Sequence, residues 1–84
     1  MAAASITSIV ATVLGIPETA VDSETGPATE GEWTSLRHLQ IANDVQREYA
    51  ITLTGREIRS VRSVSDLHEL VARKQDGQRT AAAQ

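Results

Sequence analysis

Apolar residues recur along this chain in short stripes separated by polar turns. The first stripe, Ile6, Ile9, Val10, Val13 and Leu14, falls at i, i+3, i+4, i+7 and i+8, the spacing that places side chains on one face of an α-helix. Ser5 offers a cap oxygen ahead of it, and Gly15 followed by Pro17 stops it. Residues 16–33 then lose the periodicity and collect turn formers: Pro17, Asp22, Ser23, Gly26, Pro27 and Gly31. Ile16 and Val21 are the expected anchors of this stretch to a core. A connection of this length in a small domain is more often functional than idle. From Trp33-Thr34-Ser35-Leu36 the chain runs to Tyr49 without Gly or Pro. Leu36, Leu39, Ala42, Val45 and Tyr49 make a second helical stripe, flanked by Ile41, while Gln40, Asn43, Asp44, Arg47 and Glu48 face elsewhere. With Thr34 or Ser35 supplying the cap, the spacing predicts a helix over 35–49.

Ala50 to Gly55 alternates apolar and polar residues, as a strand would. No second strand candidate exists to pair with it, so an extended connection is expected. Arg56 to Val61 predicts a short helical piece holding Ile58 and Val61. Ser63, with Asp66 three residues later, resembles a capping box opening a last helix, whose apolar stripe is Val64, Leu67, Leu70 and Val71. From Gln75 onward the chain is polar or Ala and is expected to fray. The sum is an all-α fold: a small bundle of three main helices and a short one, with a long loop between helices 1 and 2. Residues 1–84 read as one domain, ordered over about 5–74, with 75–84 as a frayed tail.

Composition narrows the function. The chain is 40% hydrophobic and 23% charged, within the globular range. Trp33 and Tyr49 are its only aromatic residues, so the core must be aliphatic. The lack of Cys excludes a disulfide, a thiolate metal site and a Cys nucleophile. Nothing approaches the run of about 18 apolar residues that a membrane span needs. A cytoplasmic protein with no membrane attachment is expected, and nothing demands more than a monomer.

The net charge of −3 hides an asymmetry, because residues 1–36 carry five acids and no base, whereas 37–84 carry all eight bases against six acids. A nucleic-acid binder should show clustered positive charge, so no nucleic-acid partner is expected. Asp22, Glu24, Glu30 and Glu32 lack the spacing of a calcium loop. His38 stands one helical turn after Ser35, but with no third group to orient it and no oxyanion-hole motif, a Ser hydrolase is disfavoured. An exposed helix His is the expectation. Arg56, Arg59 and Arg62 recur at every third residue and read as a solvated face, or secondarily as a surface for an acidic partner.

Taken in order, these segments resemble the acyl and peptidyl carrier proteins. Trp33-Thr34-Ser35-Leu36 lies where that family has its Asp-Ser-Leu attachment motif. Glu48-Tyr49-Ala50-Ile51-Thr52-Leu53 is similar to the family's acidic-aromatic-Gly-Ile ending of helix two, and Ser63-Val64-Ser65-Asp66-Leu67 to the start of its last helix. The resemblance covers about residues 5–73 and rests on the order and spacing of these motifs together. It implies a non-catalytic carrier, with 4'-phosphopantetheine transferred from coenzyme A to the hydroxyl of Ser35 and cargo held on the arm's thiol as a thioester. Implied partners are a phosphopantetheinyl transferase, an acyl- or aminoacyl-loading enzyme and an acyl-consuming synthase or transferase. Trp33, Thr34, Leu36, Arg37, Ile41 and Asn43 are the implied partner contacts, although Trp33 reads first as a partly buried loop anchor and Leu36 and Ile41 equally as core edge. Arg37 or His38 is a candidate to pair with the arm's phosphodiester. Three departures stand out. Thr34 replaces the Asp before the Ser, Glu30-Gly31-Glu32-Trp33 replaces a Ser-Phe-x-x-Leu-Gly loop, and helix two is nearly charge-balanced rather than strongly acidic. The last implies partners unlike those of fatty acid synthesis, as in polyketide, nonribosomal peptide or related secondary metabolism. The competing reading is an interaction domain of the same fold that is never modified.

Overall fold

In the computed structural model, which describes residues 4–83, Ser5 caps the first helix by accepting from the Ser8 amide at 3.0 Å. That helix, α1 (Ile6–Leu14), ends where Gly15 turns into the left-handed region at φ 70. Further on come α2 (Ser35–Tyr49), α3 (Gly55–Ser60) and α4 (Val64–Ala83). No strand occurs among the described residues. The bounds of α4 take in the polar segment beyond Gln75.

One aliphatic core joins these elements. Ile6, Ile9, Val10 and Leu14 of α1 meet Ile41 and Val45 of α2, and Leu67, Leu70 and Val71 of α4, with Ile51, Leu53 and Val61 closing the gaps. Val10 and Val45 are completely buried. Ile51 and Leu53 enter this core from the extended connection, which is how the alternating segment 50–55 is used. α1 packs on both α2 and α4.

The second stripe departs from expectation. Leu36 and Leu39 are exposed, at 66% and 53%, and the buried side of α2 is Ile41, Ala42 and Val45. The core-facing register is therefore 38, 41, 42, 45, 49, with His38 taking the place expected of a leucine. At its far end α2 stops at Ala50, which adopts φ 53. A side chain is disfavoured in that left-handed conformation, and this is the position where the resembling family carries Gly.

The long connection is ordered by its own polar side chains. It contains a 3-10 turn at Glu18–Ala20, and Val21 is buried as its anchor while Ile16 packs partly against the core. Asp22 and Thr25 bond each other, and Thr29 accepts from the Gly26 amide at 3.0 Å. The loop then seals the start of α4: the Val64 and Ser65 amides donate to the carbonyls of Thr25 and Ser23, at 2.9 and 3.0 Å. Those amides would otherwise lack partners in the first turn of the helix. Gly26 permits this approach, since a Cβ there would lie 2.0 Å from the Arg62 carbonyl oxygen.

The start of α4 is only partly the expected capping box. Ser63 Oγ accepts from the Asp66 amide at 3.2 Å, but the Asp66 carboxylate bonds the Arg62 amide rather than that of Ser63. A complete capping box forms at α3 instead, between Thr54 and Glu57. Glu57 also pairs with Lys74 at 2.8 Å, fastening α3 to α4. That bond to Lys74, followed by the Thr54 amide, holds the Glu57 carboxyl below its ordinary range.

Candidate functional site

Ser35 is the first residue of α2, and Thr34 is its cap, accepting from the Arg37 amide at 3.3 Å. Because Thr34 does the capping, the Ser35 hydroxyl is left over. It is exposed and meets no partner among the described residues. A helix N-terminus carries partial positive charge, which suits an attached anion.

Beside Ser35 opens a cleft of about 650 Å³. Pro27 and Ala28 of the loop form one wall, Ser35 and Leu39 of α2 another, and Ile58, Arg59, Val61 and Arg62 the third. Trp33 and His38 form its floor. Trp33 is 4% exposed, and its indole N–H donates to His38 Nδ1 at 2.9 Å. The other ring nitrogen, Nε2, lies 2.7 Å from the Ile58 carbonyl oxygen. Since an indole nitrogen only donates, Nδ1 must be the acceptor and Nε2–H the donor, which fixes a neutral tautomer. A void of only about 10 Å³ lies beneath, so the cleft does not continue into the core.

This wiring corrects the expected exposed His38. Both ring nitrogens are engaged in holding the loop and α3 to α2, which leaves none to activate the Ser35 hydroxyl. Arg37 is likewise engaged, by the Glu32 carboxylate at 2.7 Å and the Glu32 carbonyl. Neither is poised for a group on Ser35.

No family model and no curated protein matches the sequence. Solved structures do. A holo acyl carrier protein from Geobacter metallireducens, determined in solution by NMR, superposes with a TM-score of 0.76 at 25% identity, over 87% of this chain and 84% of that one. The chain has the acyl carrier protein fold, and the likeness supports its kinship with that family.

As an acyl-carrier-like chain it shows a divided set of expected contact residues. Thr34, Leu36 and Asn43 are exposed and Arg37 is half-buried. Ile41 and Trp33, by contrast, are buried at 2% and 4%, with their side chains committed to the core and to the floor of the cleft. The reason for Ile41 is the shifted register of α2. The cleft, the His38 clasp and the role of Gly26 escaped the sequence reading. A signal for the clasp was present, since a buried Trp needs an acceptor and His38 lies on the true stripe. No cluster of three or more metal-ligating side chains occurs among the described residues, and no described helix is long and apolar enough to cross a membrane.

Proposed function

We propose that this protein is a discrete acyl or aminoacyl carrier whose Ser35 accepts 4'-phosphopantetheine. The observation that carries the reading is a free, exposed hydroxyl on the first turn of α2, beside a cleft of about 650 Å³. In the modification, Ser35 Oγ attacks the phosphorus bearing the pantetheine of coenzyme A. The pyrophosphate P–O bond breaks, adenosine bisphosphate leaves, and the hydroxyl proton passes to a base of the transferase. Ser35 needs no activating neighbour of its own for this, which agrees with the engagement of His38. When attached, the arm supplies the thiol that the Cys-free chain lacks, and the chain itself only presents it.

Exposed Leu36 and Leu39, with Thr34, Arg37 and Asn43, form the surface that transferase, loading enzyme and acyl-consuming enzyme read, while Trp33 and Ile41 support that surface from within. The nearly balanced charge of α2 favours partners from polyketide, nonribosomal peptide or related pathways. A cytoplasmic, monomeric, non-catalytic protein completes the reading. Thr34 in place of Asp is the one feature that favours an unmodified interaction domain instead. Incubation with coenzyme A and a promiscuous phosphopantetheinyl transferase separates the two. A phosphopantetheine mass increment, lost in Ser35→Ala, is expected; no increment with several transferases supports the interaction domain.

A further inference from the structure

The cleft beside Ser35 is apolar in its walls but not in its charge. Arg59 and Arg62 both line it, and no Asp or Glu does. Neither guanidinium has an ion-pair or hydrogen-bond partner among the described residues, whereas Arg37, Arg47 and Lys74 are all paired. Glu57, the acid nearest Arg59 in sequence, is held by Lys74, and Asp66, the one nearest Arg62, is turned to the Arg62 backbone amide. The Arg59 side chain lies back over Gly55 at the start of α3 and is long enough to swing. Arg62 is held in place by its backbone, which packs against Gly26.

Two unsatisfied cations at the rim of an apolar cleft complement a ligand with an apolar chain and an anionic end. We infer that Arg59 and Arg62 select cargo whose acyl chain ends in a carboxylate, the chain lying against Ile58, Val61 and Leu39. Exposed guanidinium–carboxylate pairs are individually weak, so the effect is a preference among cargoes rather than an absolute requirement. This inference rests on the carrier reading for the way cargo arrives, but the cleft can be probed without modification.

The test compares two acyl groups of equal length, hexanoyl and the carboxylate-ended adipoyl. Each is loaded on Ser35 from its coenzyme A thioester and also offered to the unmodified protein as free S-acyl-pantetheine. Arginine Nε–H resonances and the rate of thioester cleavage by hydroxylamine are followed, the rate being normalised to the free acyl-pantetheine. Adipoyl is expected to shift the Arg59 and Arg62 resonances and to slow cleavage about two- to fivefold more than hexanoyl. The difference is expected to vanish in Arg59→Gln/Arg62→Gln, which keeps apolar stems in the cleft. Equal behaviour of the two acyl groups, or a difference that survives in the double variant, overturns the inference while leaving the carrier reading intact. So do the same arginine shifts in the unacylated holo protein, which would assign the cations to the arm's phosphate. So would arginine shifts seen only with an acidic partner protein. If no loading occurs yet free adipoyl-pantetheine shifts both arginines, the anion site stands and the carrier reading fails.

Discussion

α1 and α2 are both amphipathic, yet they spend their apolar residues differently. In α1, Ile6, Ile9, Val10 and Leu14 are all buried and close the core against α2 and α4. In α2 the first two turns release Leu36 and Leu39 to solvent and give the inward position to His38, and only from Ile41 onward does the helix resemble α1. The difference falls at the end of α2 where attachment is proposed. Where a helix must present a group to other molecules, its apolar residues are withdrawn from the core, and polar bonds take over the work of packing.

Leu36→Ala and Ile41→Ala break this comparison most sharply. Ile41→Ala removes a side chain 2% exposed and is expected to cost about 2–5 kcal/mol in denaturant unfolding. Leu36→Ala is expected to stay within about 0.5 kcal/mol of the parent while weakening partner turnover. Next comes Gly26→Ala, where the added Cβ meets backbone of Arg62 and forces the loop away from the start of α4. A loss of about 2–3 kcal/mol is expected, with amide exchange accelerated at Val64 and Ser65. His38→Ala leaves the Trp33 N–H and the Ile58 carbonyl without their partner. It is expected to cost about 1–2 kcal/mol and to change Trp33 fluorescence, which a merely exposed His would not do. The smallest effect has the opposite sign. Ala50→Gly relieves the left-handed turn at φ 53 and is expected to raise stability by about 0.5–1 kcal/mol by the same unfolding measurement.

Local rules sufficed where one surface decided the outcome. α1 has a single buried face, a Ser cap and a Gly stop, and the structure buries Ile6, Ile9, Val10 and Leu14 of its stripe, with Val13 partly covered and Ala11 added. The limits of α2, the anchors Val21 and Ile16, and the stripe of α4 were legible for the same reason. The register of α2 was not, because Leu36, Leu39 and Ile41 fit two overlapping stripes. The tie is decided by loop 16–33 and α3, whose positions no local pattern encodes. The same holds for the candidate site. Ser35 at a loop-to-helix junction was readable, but the cleft arises from three segments distant in sequence, and Gly26 discloses its role only against the Arg62 carbonyl. That α3 rather than α4 forms the full capping box reflects a displacement of one residue in the Asp66 bond, below the resolution of motif reading.

The proposed function makes the hydroxyl at the start of α2 the one group this chain offers for attachment. Fragmentation mass spectrometry of the transferase-treated protein tests it most directly. No Lys or Arg precedes Arg37, so trypsin leaves residues 1–37 as one peptide holding Ser5, Ser8, Ser23 and Ser35 together. A single phosphopantetheine is expected on this peptide, assigned by its fragments to residue 35. An arm found on another serine, or on none with the Ser35 hydroxyl intact, would contradict it.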